Sequence, residues 1–443
     1  MPEPATDRAL APRPATLAGI FGVGLVARGL LLAYRLAVVG TPVESLGGSD
    51  VPGWLGMARH FRFDFSYWLM GARPPLFPML VALVYRLGGT TLAAAILQIV
   101  LGALTPALGA LLAYRLLRAT ALPHPHRLAV AAGIVMALDP ASVSTSATLL
   151  AEPLFNLLFV ACLLSLTAFI QETRWQALAL AALWLAAAMF TRPTAIYFWL
   201  AAPLILAPLV RAWWRPALAL AAAGLAVYLG WSARNLHYRG VFTYSLQTNF
   251  SLLFLRAISA EHLATGTDTN DLQVAYVQHL YRSVGDTESA ELAVPEHFWR
   301  FLVADDPAIY AEMGRLARQK LLQYWPYALL GTGVGAWRMF GVTTSLPGWF
   351  APIELLYHAL LYGLAAWGGW QAFRRKDWLL LLVTAIPILY VSGLTLLSQT
   401  SAMDTRMRTP ITAFIVILAV YGAGWLIQAA RERDRRRSAQ GSH

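Results

Sequence analysis

Charge is what this sequence has least of. Only 13% of its 443 residues are Asp, Glu, Lys or Arg, while 58% are hydrophobic. A typical soluble domain is about a quarter charged. With a mean hydropathy of +0.55, the chain cannot cover itself with a water-loving surface, and lipid must be its main solvent. Cysteine is nearly absent. Cys162 stands alone inside an apolar run, which excludes an intrachain disulfide and argues against a cysteine-based metal site. A GxxxxGK[ST] phosphate loop, a GxGxxG fingerprint after a strand and an HExxH zinc pair are all missing, so nothing reads as an ATP-driven machine or a zinc hydrolase. No internal repeat stands out. The first apolar run is long and has no small-residue cleavage site after it, so no cleavable signal peptide is expected.

What is present is a series of long apolar runs. Lipid offers backbone polar groups no partner outside their own segment, so these runs are read as helices. Ten lie near 16–39, 91–114, 128–147, 153–170, 176–190, 194–210, 216–232, 350–371, 378–397 and 410–428. The 16 Trp and 17 Tyr suit the membrane–water boundary. The formal charge of +11 sits largely in short clusters beside the runs, as topology signals do, and no nucleic-acid partner is implied. Arg8 and Arg13 precede the first run. Arg115, Arg118 and Arg127 follow the second, and Arg174 the fourth. Arg211 and Arg215 follow the sixth, Arg374, Arg375 and Lys376 the eighth, and Arg431 to Arg437 the tenth. These alternate as ten spans with both termini in the cytoplasm require.

The expected organisation is a transmembrane module over 1–232 with a first outer loop at about 40–90, a long outer segment at 233–349, and a transmembrane module with a basic tail over 350–443. Both outer segments carry amphipathic pieces, such as Trp54–Phe61 and Met313–Leu322, that suit the membrane surface. The stretch Pro74–Leu87 is short for a span and is read as interfacial or re-entrant.

On this topology two carboxylates stand at the outer level, Asp50 after the first run and Glu152 before the fourth. A carboxylate beside apolar segments is costly and tends to mark function, although either could simply cap or start a helix. Arg73, Arg192, Arg234 with Asn235, Arg406 and Arg408 fall at the same level. Any one arginine could snorkel to headgroups. Five on the outer side run against the usual inside bias, and guanidinium groups hold phosphate oxygens in a bidentate fork. Together they imply an anionic, lipid-borne substrate with a phosphate head. Arg406 and Arg408, two residues apart, can face one ligand only if their segment turns. Arg28 and Arg35 share one face of the first run; Arg28 is expected to face the bundle interior and Arg35 to reach an interface. His60, His237, His262, His279 and His297 show no metal-ligand spacing and are read as surface residues.

The segments GSDVPGWLGMARHF, GARPPLFPMLVALVYRLGG, AEPLFNLLF, TRPTAIYF, WSARNLHYRGVF and RMRTPITAF, in this order, resemble the GT-C membrane glycosyltransferases, in the bacterial branch akin to protein O-mannosyltransferases and aminoarabinose lipid A transferases. The resemblance implies a GT-C-like helical bundle with outer interfacial helices, in a cell inner (plasma) membrane with its active site on the outer face. It implies sugar transfer from a polyprenyl-phosphate donor to a lipid, glycan or protein acceptor. It also implies Asp50 as catalytic base, Glu152 as the second acidic position, and Arg406 and Arg408 as donor-phosphate contacts. Val51 follows Asp50 where many members carry a second acidic residue, so a divalent metal is not supported and no cofactor is implied. Met407 stands where a tyrosine often separates the two arginines. A lipid phosphate is already a good leaving group, so the chemistry needs a base near the acceptor hydroxyl and cations on the phosphate. The expected enzyme is an inverting glycosyltransferase. A surface-polysaccharide polymerase or ligase would not need Asp50, and a transporter would show inverted repeats and broken helices, neither of which the sequence displays.

Overall fold

The computed structural model describes residues 11–294, 301, 306–343, 346–398, 400 and 404–440; Arg8 and His297 lie outside them. Among the described residues every regular element is a helix. In chain order they are α1 (Pro14–Ala37), α2 (Val51–Arg59), α3 (Leu76–Arg86), α4 (Thr91–Leu117), α5 (Pro125–Leu138), α6 (Pro140–Ser146) and α7 (Glu152–Glu172). Then come α8 (Trp175–Met189), α9 (Phe198–Leu206), α10 (Trp214–Arg239), α11 (Gln247–Phe250), α12 (Ile258–Thr265), α13 (Thr269–Ser283) and α14 (Thr287–Glu291). The last five are α15 (Pro307–Gln323), α16 (Trp325–Phe340), α17 (Ala351–Arg375), α18 (Trp378–Ser398) and α19 (Thr412–Gln440).

All ten apolar runs are helical over part or all of their length, but not all are fit to cross a bilayer. Among the described residues six helices are long and apolar enough, and the pair α5–α6, bent by 54°, would make a seventh. The run at 194–210 contributes only the nine residues of α9, about 14 Å of helix against a hydrocarbon core of about 30 Å. The 15 residues of α8 also fall short. α17 has 25 residues but is less apolar, because it carries Glu354, His358 and Gln371 into the bundle. The α5–α6 break is the broken helix that the sequence did not reveal. Asp139 and Pro140 cause it: the proline cannot donate a backbone hydrogen bond, and Asp139 instead caps α6 through Ser142 N and Oγ at 2.9 and 2.7 Å.

The bundle closes where α17 packs along α19. Gly368 and Gly422 allow the backbones to touch. A methyl group on either would collide with the carbonyl of Leu418 or Leu364, the small-residue contact that membrane helices use in place of a hydrophobic driving force. The amphipathic pieces are helical: Trp54–Arg59 lies in α2, Met313–Leu322 in α15, and Pro74–Leu87 contains the 11-residue α3, which packs on α2 and α4. Arg28 is buried, donating to Gly24 O and Ala137 O at 3.1 and 2.9 Å. Arg35 does not reach for an interface. It clamps the end of α6 through Ser144 O, Ala147 O and Ser144 Oγ at 2.8–3.0 Å.

Candidate active site

Asp50 ends a short 3₁₀ turn, Gly48–Asp50, that follows the left-handed Gly47 (φ +119°) and leads directly into α2. This turn points the carboxylate back toward two arginines. Arg73 donates to Asp50 Oδ1 at 2.8 Å and to the Asp50 carbonyl at 2.9 Å, and its guanidinium lies 4.7 Å from the ring centre of Trp54. Arg406 donates to Oδ2 at 2.8 Å. Both carboxylate oxygens are thus engaged, each by a different guanidinium. Arg406 comes from the other end of the chain, on the 3₁₀ segment Thr405–Ile411. Asp404 caps that segment through Arg406 N at 2.9 Å and also pairs with Arg406 Nε at 3.2 Å.

A second pair stands beside the first. Glu152, in the first turn of α7, meets Arg192 at 2.5 Å. The other arm of Arg192 donates to Met407 Sδ at 3.6 Å. The two pairs act on one another, since Arg192 favours the charge of Asp50 and Glu152 favours that of Arg73 and Arg406. The cluster is therefore three carboxylates, Asp50, Glu152 and Asp404, interleaved with three arginines, Arg73, Arg192 and Arg406. Burial pushes the Asp50 carboxyl up, but Arg73 and Arg406 outweigh it, and the group titrates below the usual carboxylate range. Asp404 goes the other way, because burial outweighs Arg406 and raises it. Burial also lowers the pKa of Arg73, with Asp50 opposing the shift. Among the described residues no group of three His, Cys, Asp or Glu side chains could hold a metal ion.

A groove of about 380 Å³ opens next to Arg192. Tyr197, Tyr228, Tyr244, Leu394, Leu397 and Met407 are among the residues that line it. Tyr197 and Leu397 are themselves exposed, so the groove runs from Arg192 of the charged cluster to the protein surface.

Three expected site residues are not in this cluster. Arg234 donates to Phe65 O at 2.9 Å, to Tyr67 O at 3.2 Å and to Asn235 Oδ1 at 2.7 Å. Asn235 is fully buried and donates to Thr243 O and Tyr244 O at 2.8 and 3.1 Å. Both tie the outer segments to α10 and leave little hydrogen-bonding capacity for a ligand. Arg408 is directed inward. In a 3₁₀ helix residues two apart diverge by about 120°, so the segment turns but still separates Arg408 from Arg406. Arg408 is 1% exposed and lies 3.6 Å from Asp139, which is 0% exposed. It also donates to His358 Nε2 at 2.8 Å and to Tyr362 Oη. Asp139, His358, Tyr362 and Asp404 were missed in the sequence. A signal existed for the first two, as lone ionisable residues within apolar runs.

Residues 72–232, just over a third of the chain, match the dolichyl-phosphate-mannose-protein mannosyltransferase family, one of the GT-C glycosyltransferase families. The matched segment contains Arg73, Glu152 and Arg192. Asp50 and Arg406 lie outside it. No curated protein matches the chain by sequence. Among solved structures, the archaeal oligosaccharyltransferase AglB from Archaeoglobus fulgidus, in complex with an inhibitory peptide and a dolichol-phosphate, is 14% identical with a TM-score of 0.45, over 96% of this chain and 52% of that one. The same organism's enzyme tethered with an acceptor peptide is 13% identical with a TM-score of 0.48, over 93% and 50%. The chain thus spans about half the length of these solved structures.

Proposed function

Taking residues 72–232 as a glycosyltransferase segment of the GT-C type, we propose that the protein moves a sugar from a polyprenyl-phosphate donor to an acceptor hydroxyl at the outer face of the membrane, with inversion at the anomeric carbon. The observation that carries the reading is the double clasp on Asp50. A carboxylate kept ionised between Arg73 and Arg406 lies in the same charged cluster as Arg192, which borders a tyrosine- and leucine-lined groove reaching the protein surface. The base, the phosphate-binding cations and a path for an isoprenoid tail are then contiguous.

In this reading Asp50 accepts the proton of the acceptor hydroxyl as the hydroxyl oxygen bonds to the anomeric carbon. The bond from that carbon to the phosphate oxygen breaks, and the electron pair leaves with the polyprenyl phosphate, whose charge Arg406 and Arg192 stabilise. Glu152 orients Arg192, and Arg73 holds Asp50 at the mouth of α2.

The charge balance suggests an order of events. Three carboxylates already match three arginines, so the phosphodiester of a donor brings one negative charge too many. It competes with Asp50 for Arg406, which frees one carboxylate oxygen for the acceptor. Asp404, raised by burial, is the group placed to take up a proton if the charge is not otherwise met. Donor binding should therefore precede acceptor binding.

Mass spectrometry of lipids co-purifying with the protein tests the reading. Asp50→Asn should retain a polyprenyl-phosphate sugar that the wild type turns over. Finding no polyprenyl phosphate, free or glycosylated, on either protein, with none bound when added, would overturn it.

A further inference from the structure

The buried pair Asp139–Arg408 lies on the side of the 3₁₀ segment away from Asp50 and belongs to a network that the proposed chemistry does not use. Asp139 Oδ2 is taken by Ser142 N and Oγ, while Oδ1 faces Tyr357 Oη at 3.3 Å and Arg408 at 3.6 Å. Arg408 donates to His358 Nε2 at 2.8 Å, which requires that ring nitrogen to carry no proton. One turn earlier on α17, Glu354 accepts from Thr343 N and Thr343 Oγ1 at 2.8 and 2.6 Å. Thr343 Oγ1 lies 3.2 Å from Thr405 Oγ1, the first residue of the segment that carries Arg406. The segment is therefore held at its start by the Glu354–Thr343–Thr405 chain and two residues past Arg406 by Asp139. Tyr357, His358 and Glu354 all come from α17, which the Gly368–Gly422 contact fixes against α19.

We infer that Asp139 is a positioning residue: by holding Arg408 in the sealed interior, it fixes the 3₁₀ turn that presents Arg406 to the donor phosphate. The inference rests on the reading of Arg406 as a phosphate contact. Neither Asp139 nor Arg408 touches substrate. A buried charge cannot be left without its partner except at high cost, so the segment cannot rotate Arg406 away while the pair is intact. The bend at Asp139–Pro140 then has a purpose, because it delivers a carboxylate into the bundle at the level of Arg408 and exposes the α6 amides that Asp139 caps.

Polyprenyl phosphate is the product common to every donor of this class, so it probes the phosphate site whatever the sugar. Affinities for it, and for the phosphate-free polyprenol, are measured on purified wild type, Arg406→Gln, Asp139→Asn and the double variant. Arg406→Gln should weaken polyprenyl phosphate about tenfold or more and leave polyprenol unchanged. Asp139→Asn should reproduce both results, and the double variant should be no weaker than either single one, since both changes remove the same contact. If Asp139→Asn does not purify folded, Asp139→Asn combined with Arg408→Met removes both charges and leaves none buried without a partner; it should show the same phosphate-specific loss. A wild-type affinity in the Asp139 variant, losses that add in the double variant, or an equal loss of polyprenol binding would each overturn the inference. A wild-type affinity in Arg406→Gln would instead overturn the phosphate role of Arg406 itself.

Discussion

Two clusters of carboxylate and guanidinium groups lie on opposite sides of one 3₁₀ turn, and their difference is solvent. In the outer cluster the Asp50 and Arg406 side chains are 28% and 24% exposed, and each ion has more than one partner in reach. In the inner one Asp139 and Arg408 are sealed at 0% and 1%. A partly exposed pair contributes less to stability than a sealed one and can exchange partners at lower cost. A sealed pair cannot be broken without leaving a bare charge in a medium that solvates it poorly. The outer cluster is thus built to let go and the inner one to hold. The same residue types serve chemistry in one place and architecture in the other.

Asp50→Asn tests the first half of that contrast and carries the largest expected effect. Loss of a general base costs about 10²–10⁴ in rate. Because the side chain is partly exposed and asparagine keeps its shape, the variant should still fold and insert. Transfer activity on purified protein, with chromatographic monodispersity as the check on folding, decides it. Near-wild-type turnover would remove Asp50 from the chemistry.

Asp139→Ala tests the other half, in stability. Breaking a buried pair by removing one partner costs about 3–5 kcal/mol, and the α6 cap is lost with it, which adds about 1 kcal/mol. The thermal unfolding temperature should fall well below that of Asp50→Asn. If the two variants unfold alike, the contrast between an exchangeable and a sealed cluster fails.

A smaller effect separates the arginines. Arg406→Lys keeps the charge but loses the planar fork, so binding of polyprenyl phosphate should weaken by about tenfold. Arg234→Lys, at a residue tied to Phe65 and Tyr67 carbonyls, should leave it unchanged. Isothermal titration or a fluorescent polyprenyl phosphate distinguishes them.

The division between the clusters is also the division between what the sequence displayed and what it hid. Apolar length displayed the helices, because lipid forces backbone polar groups to pair within a segment. It did not show how short the helices α8 and α9 are, where the turn around Arg192 and Pro193 separates two apolar runs. Asp50, Glu152, Arg73, Arg192 and Arg406 were legible as charged residues beside apolar runs. Their pairing was not, because Asp50 and Arg406 are 356 residues apart and nothing local records that contact. Arg408 was misplaced because a two-residue spacing says nothing of direction until the turn type is known. Asp139, Glu354 and His358 sit in apolar runs without a motif, and only their expense in lipid marked them.

The smallest expected effect is in pH dependence, and it belongs to the outer cluster alone. Burial by itself would raise the Asp50 carboxyl, but Arg73 and Arg406 hold it below its ordinary value. A group whose folded pKa is depressed adds stability that is present above its unfolded pKa and is lost as pH falls through its folded pKa. In the wild type this loss should come only at a pH below the ordinary carboxylate range of about 4. Arg406→Gln removes one of the two cations, so the folded pKa moves back up toward the unfolded value, and the stability that the ionised Asp50 adds above that value shrinks. Unfolding temperatures of the solubilised protein, taken from about pH 7 down to about pH 3, should therefore differ most between wild type and Arg406→Gln near neutral pH and converge on the acid side. Asp50→Asn, which has no proton to gain, should lack this component altogether. Asp50→Asn together with Arg406→Gln should then match Asp50→Asn in the shape of its acid limb. If Arg406→Gln overlays the wild type throughout, Arg406 does not govern the Asp50 charge, and the double clasp reduces to Arg73 alone.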